Sequence, residues 1–285
     1  MSNIAELIKE LRSKSGAGFL DCKNALAENS NDIEKSVEYL RKKGLAKASK
    51  KTSRDANEGA VGIYSNENIT VVIKVNSETD FAAKSDTFLD FLDNLGQIAL
   101  DTNQPKLSRD KFLNLNTKEG LVSDYFNNMI AKIGENLVLK DLLILPNEGF
   151  DFAYYIHNSY RNNIGKIISI IKYNSDKKDN VIENLSKNLC MHIAAMKPES
   201  LDIEDLDEKI INNEKNIQRE LILNSGKPSN IVEKILEGKM KKFYSEVTLN
   251  NQNFIMDQEL TIKEVINKHS NIYNYKLISF HLINL

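Results

Sequence analysis

Four histidines, His157, His192, His269 and His281, and two cysteines, Cys22 and Cys190, are the residues of this 285-residue sequence best suited to nucleophilic or metal chemistry. Their spacing argues against it. Cys190 and His192 are two apart in a helix-patterned stretch, so they point to different faces, whereas a catalytic pair or a zinc site needs side chains that converge. Two distant cysteines without a C-x-x-C make no disulfide framework and read as buried apolar thiols. The chain contains no G-x-x-x-x-G-K-[ST], no strand-linked G-x-G-x-x-G and no H-E-x-x-H. Its acidic residues are scattered over polar helix faces. No catalytic residue, no metal ligand and no cofactor is therefore expected.

One segment stands out, Asn76-Ser77-Glu78-Thr79-Asp80-Phe81-Ala82-Ala83-Lys84. A large aromatic follows an acid in a polar loop, directly after a strand pattern. Two readings are open. In the first, Thr79 or Asp80 caps the next helix and Phe81 packs against it as a hydrophobic staple. In the second, Phe81 is an exposed aromatic anchor beside a carboxylate, the make-up of an interface hot spot.

The elements that must hold this segment are legible from periodicity. Residues 1–44 read as three short helices. Ile4, Leu7, Ile8 and Leu11 form the stripe of the first, with Asn3 and Glu6 as a capping box. Asn31 and Glu34 are expected to cap the third, and Gly44 to end it. Arg41–Arg54 holds seven basic residues and no acid, which suits a solvated linker or a nucleic-acid contact. It has no aromatic for base stacking. A β-hairpin pattern follows, Ala60–Tyr64 and Ile69–Val75 about a Ser65–Asn68 turn. Then come a helix from Phe88 to Ala99 and a helical stretch over Phe112–Glu135. The order recurs about 95 residues later: strands at Phe152–His157 and Ile164–Tyr173, a polar loop, and a helix with Val181, Leu185, Leu189 and Ile193. Asp202–Glu246 reads as an antiparallel helical hairpin of coiled-coil type about Ser225–Pro228. Its seam would hold Ile203, Leu206, Ile210, Ile217 and Leu221 against Ile231, Ile235, Leu236, Met240 and Phe243. Glu246–Leu249 and Lys276–Leu285 are strand-like. The expected class is α+β: a three-helix domain with a basic linker (1–55), a first α+β subdomain (56–150), and a related second one (151–285) with a helical arm inserted at about 201–246.

Composition is that of a globular protein, 41% apolar and 27% charged, without an 18-residue apolar run. The first eleven residues carry Glu6 and Glu10 and read as an amphipathic helix, neither a signal nor a transit peptide. The expectation is a soluble protein of the compartment that makes it. Residues 1–55 carry 12 basic and 8 acidic side chains in a chain whose net charge is −2, so the first module is of opposite sign to the rest.

The segment Asn76–Lys84 resembles the N-x-E-T-D-F-V-A-K signature of the elongation factor Ts family. Leu11–Leu26 is similar to that family's L-R-x-x-T-G-A-G-x-x-D-C-K-x-A-L. Lys132–Asn136, Met191–Pro198, Ser225–Pro228 and Met240–Phe243 are further echoes, in order along nearly the whole chain. Departures are Ser15 for Thr, Ala82 for Val, Asn-rich residues 158–163 where Gly is usual, and an end at Leu285 where many members continue into another helix. The resemblance implies a guanine-nucleotide exchange factor that binds the GDP form of elongation factor Tu. It implies no covalent chemistry, no direct nucleic-acid or membrane partner, an assembly that pairs two heterodimers, and a cytoplasmic location, with an organelle matrix as the alternative. It implies that the first domain is ubiquitin-associated-like. By the same resemblance Asp80, Phe81, Ala82 and Ala83 disturb the Mg²⁺ on the partner, Ala82 and Ala83 by allowing close approach. Arg12, Phe19, Leu20, Ile133, Gly134 and His157 are further contacts. The residues by themselves also suit a non-exchanging adaptor.

Overall fold

Most helices of this protein begin where a short polar side chain can hold a free backbone N–H. Ser85 Oγ accepts from the Phe88 N–H at 3.3 Å, and Asp179 Oδ1 accepts from Val181 and Ile182 at 3.0 and 3.1 Å. The computed structural model describes residues 4–15, 17–49, 51–118, 120–225 and 228–285. Contacts divide the chain into two compact units. The first holds residues 1–146, 158–166 and Leu285, the second 147–157 and 167–284.

The first unit opens with α1 (Ile4–Ser15), α2 (Phe19–Glu28) and α3 (Ile33–Ser49). Ile8, Leu11, Cys22, Ala25, Leu26 and Leu40 form their shared core. Asn3, and with it the first capping box, lies outside the described residues. Two expectations are corrected at α3. Asp32, not Asn31, caps it, accepting the Lys35 N–H at 3.0 Å, while Asn31 takes a left-handed φ of 64°. The helix also continues through Gly44 to Ser49, so the basic stretch is largely helical instead of a linker. Gly44 serves close approach: a Cβ there would lie 3.0 Å from the Cβ of Ala131.

Next come β1 (Glu58–Ser65), β2 (Ile69–Ser77), α4 (Asp80–Ala83), α5 (Asp86–Thr102), α6 (Arg109–Leu113), β3 (Asn116–Thr117), β4 (Gly120–Leu121), α7 (Val122–Ile133) and β5 (Val138–Pro146). The single helical stretch expected over Phe112–Glu135 is thus broken by the small β3–β4 hairpin. β5 has no counterpart in the sequence reading. Its register runs antiparallel to β2 from Ile69↔Pro146 to Asn76↔Val138. β1 pairs with the other edge of β2, Glu58↔Ser77 to Ser65↔Thr70. Phe88, Phe91, Leu92, Leu95, Phe112, Phe126 and Ile130 pack with the buried side chains of β2. The turn between β6 (Asp151–Arg161) and β7 (Ile164–Asn174) docks in this unit. There Gly62 and Val61 pair with Ile164 and Gly165, and Arg161 reaches Asp90 and Asp93, each at 2.8 Å.

In the second unit β7 is paired by β6 and by β10 (Lys276–Asn284). Between them in sequence lie α8 (Asn180–Met196), α9 (Glu208–Asn224), α10 (Ser229–Val247), β8 (Asn253–Phe254), β9 (Asp257–Thr261) and α11 (Ile262–Tyr273). Ile171, Tyr173, Leu185, Leu189, Ile193, Phe254 and Tyr275 build its core. Mixed α+β architecture, with three N-terminal helices and then antiparallel strands with helices, agrees with expectation. So does the recurring order of hairpin, polar loop and long helix. The hairpin seam is corrected. α9 starts only at Glu208, and Ile222 with Ile211 meets Val232, Leu236 and Met240, whereas Ile210, Ile217 and Leu221 are exposed. The periodicity allowed two faces, and the one three turns apart from Ile211 to Ile222 is the one that meets α10. The strand expected at Glu246–Leu249 is mostly helix, because the Thr248 N–H and hydroxyl both donate to the Tyr244 carbonyl at 3.0 and 2.8 Å.

His192 of α8 is fully buried. Its Nδ1 accepts the Ile255 N–H at 3.3 Å, which leaves Nε2–H to donate to Gln252 Oε1 at 2.9 Å. Burial holds its pKa below the ordinary histidine value. A proton on Nδ1 would face a donor, so the folded state resists protonation while the unfolded chain accepts it below pH about 6.5. Stability should therefore fall as pH drops from about 6.5 toward 5, above the carboxylate range. His192→Gln, which keeps an acceptor and a donor, should flatten that part of the melting-temperature profile. An unchanged slope would assign it to another group.

Candidate functional site

The corner after β2 is built by polar side chains. Thr79 takes an extended conformation and is the N-cap of α4, its Oγ1 accepting the Ala82 N–H at 3.2 Å. Ser77 Oγ donates to the Thr79 carbonyl at 2.9 Å, and Ser85 Oγ to the Ala82 carbonyl at 2.8 Å. Asp80 is therefore a first-turn residue and not the cap. Its carboxylate takes Lys84 Nζ at 2.7 Å.

A second segment locks the corner. Thr79 donates twice to Glu135, from its N–H to Oε2 at 2.9 Å and from its hydroxyl to Oε1 at 2.7 Å. In return the Asn136 N–H donates to Glu78 Oε1 at 2.7 Å. Gly134, in the left-handed region at φ 88°, ends α7 and turns the chain so that Glu135 faces Thr79. Its carbonyl accepts a hydrogen bond from Lys51 Nζ. Arg54 pairs with Glu78 at 3.5 Å, and the buried Asn136 donates from Nδ2 to the Arg54 carbonyl at 2.7 Å. The residues after α3 thus tie down the turn that ties down the corner.

On this frame Phe81 is 84% exposed. The staple reading is overturned: nothing apolar covers the ring enough to call it packed. Ala83 is fully buried and Ala82 nearly so. Their side chains face the interior of their own unit. Ile133 packs partly against the core of the first unit. Arg12 is exposed, and Phe19 and Leu20 at the start of α2 are 56% and 67% exposed. His157 belongs to the second unit, on β6, with its Nδ1 3.2 Å from the Tyr155 hydroxyl. The structure joins Gly134 to the Phe81 corner through Glu135. Glu135, Asn136, Lys51 and Arg54 are not among the residues the sequence points to, although Glu135 and Asn136 lie within the Lys132–Asn136 echo.

Among the described residues no cluster of His, Cys, Asp and Glu is placed to hold a metal ion, and no helix is long and apolar enough to cross a membrane. Cys22 and Cys190 are buried free thiols, and burial drives the Cys190 pKa upward, away from nucleophilic use. A hydrogen-bonded polar frame thus presents one exposed aromatic ring. The family model for "Elongation factor TS" matches residues 78–285. The chain is 40% identical over 258 residues to elongation factor Ts of Allorhizobium ampelinum, covering 90% of this chain and 83% of that one. It is 40% identical over 267 residues to that of Rhizobium etli (93% and 86%), and 40% over 266 residues to that of Rickettsia prowazekii (92% and 84%). The chain belongs to the elongation factor Ts family, whose members are elongation factors of protein synthesis.

The hydrogen bond from Lys84, helped by the charges of Lys84 and Lys166, holds the Asp80 carboxyl below the usual Asp value. A carbon-detected NMR titration should find Asp80 below about 3.9 and should find it raised in Lys84→Met. An Asp80 midpoint indifferent to Lys84 would mean that the ion pair does not persist in solution.

Proposed function

We propose that this chain is a guanine-nucleotide exchange factor that binds the GDP form of elongation factor Tu and speeds GDP release. The observation that carries the reading is Phe81, a large apolar ring left 84% exposed on a helix only four residues long yet fastened at both ends. An exposed ring on a fixed mount gains by burial in a partner's crevice, about 1.5–3 kcal/mol for a full phenyl. A thousandfold faster release needs about 4 kcal/mol of barrier reduction. The ring therefore supplies much but not all of it, and hydrogen bonds from the surrounding corner supply the rest.

In this reading Phe81 enters the GTPase domain and displaces the elements that hold Mg²⁺ on the nucleotide, with Asp80 beside it. Because Mg²⁺ neutralises phosphate charge, loosening it loosens GDP. Coupling is reciprocal: GDP weakens the exchange factor as much as the exchange factor weakens GDP. Ala82 and Ala83 contribute close backbone approach. Ile133 and Gly134 lie beside the same corner, Arg12, Phe19 and Leu20 grip the GTPase from the N-terminal helices, and His157 contacts it from the second unit. Such a protein changes no covalent bond and needs no cofactor. It works in the cytoplasm, and two heterodimers pair in its assembly.

The test is release of fluorescent GDP from purified elongation factor Tu. Phe81→Ala should slow stimulated release at least tenfold, roughly the loss of an interface anchor, with the melting temperature unchanged. A folded Phe81→Ala chain that releases GDP at the wild-type rate returns the corner to a structural role. Unstimulated release in the presence of the intact chain would favour a non-exchanging adaptor.

A further inference from the structure

Phe81 cannot hold itself in place. With 84% of its surface exposed it has little packing of its own, so its direction is set by the backbone of α4. That helix is a single turn, closed by Ala83 N–H to the Thr79 carbonyl at 3.3 Å and Lys84 N–H to the Asp80 carbonyl at 3.1 Å. A lone turn is unstable by itself. Its geometry depends on the Thr79 cap, and the cap depends on where the Thr79 hydroxyl points its one proton.

The structure assigns that control to Glu135: we infer that Glu135, through its paired hydrogen bonds to Thr79, is the positioning residue that aims Phe81. Both of its carboxylate oxygens are used on this one residue, at 2.9 Å to the N–H and 2.7 Å to the hydroxyl. Because the hydroxyl proton goes to Glu135, the lone pairs of the same oxygen are left for the Ala82 N–H at 3.2 Å. Carboxylate, hydroxyl and helix N–H thus form one chain in which each bond orients the next. Glu135 is itself fixed from behind. Gly134 before it is held by Lys51, and Asn136 after it by Glu78 and the Arg54 carbonyl. A side chain that is only a surface acid would need none of this. Without it the Thr79 hydroxyl is free to rotate and the N–H turns to water, leaving one turn of helix to carry an exposed ring.

The inference rests on the exchange reading above, with Phe81 as the group that acts on the partner. A double-mutant cycle separates the two. Glu135→Ala, Phe81→Ala and the double variant are compared in stimulated GDP release from elongation factor Tu, with the melting temperature as the control for folding. Positioning predicts that Glu135→Ala slows release about tenfold in the wild-type background and less than about twofold when Phe81 is already Ala. Glu135→Gln, which keeps one acceptor for Thr79 and disturbs the fold least, should lie between wild type and Ala. An equal loss in both backgrounds overturns the inference, because Glu135 would then act by a contact or a fold effect of its own. So does a wild-type rate in a folded Glu135→Ala chain, while a slow Phe81→Ala beside it leaves the exchange reading standing. If Phe81→Ala itself leaves release unchanged, the exchange reading fails and this inference falls with it.

Discussion

The two hydrogen bonds from Thr79 to Glu135 are the constraint on which the rest of the site depends. An exposed phenyl ring costs free energy in water, and a mobile one would also lose conformational entropy on every docking event, about 0.5–1.5 kcal/mol for each side chain immobilised. The corner removes part of that cost in advance. A carboxylate accepting two hydrogen bonds from one residue is stronger and more directional than a neutral pair. It fixes backbone and hydroxyl together, and through them the first turn of α4.

The frame behind the corner is stiff for ordinary reasons. β2 buries nearly every side chain between Ile69 and Val75, and β1 and β5 satisfy its backbone on both edges. Asn76, at its end, uses Nδ2 on the Ala56 carbonyl at 2.8 Å. On the opposite side of the clamp, α7 is kept at a fixed distance by the close approach of Gly44 to Ala131. The C-terminal end of the basic stretch, which reads as a nucleic-acid patch or a linker when seen as charge alone, supplies Lys51 and Arg54 to the clamp. Lys51 donates to the Gly134 carbonyl and Arg54 pairs with Glu78, both within the same unit.

Much of this was legible in the sequence, and the limits have physical causes. The hairpin of β1 and β2 and the helices α5 and α8 announce themselves by period. β5 did not, because Lys140 and Asp141 interrupt the apolar run of Val138–Pro146. The seam of α9 was misread because Ile210 and Ile211 are adjacent, and a stripe drawn through either looks apolar; only the partner helix decides between them. Gly44 looked like a helix stop, since a glycine chosen for close packing has the same letter as one chosen for a left-handed φ. Phe81 was visible as an anomaly, but staple and anchor differ only in exposure, which a sequence does not state. Glu135 was beyond reach for a stronger reason. Its partner is 56 residues away, and a glutamate after a glycine carries no local mark of where it will point.

In the proposed complex Phe81 leaves water for the interior of a GTPase. The most direct measurement places a fluorinated phenylalanine at position 81 and follows its ¹⁹F resonance in H₂O and in D₂O as GDP-bound elongation factor Tu is added to saturation. The free chain should show the full solvent isotope shift of an exposed ring, and the complex should show it abolished. A ring that keeps its solvent shift in the saturated complex would contradict the account.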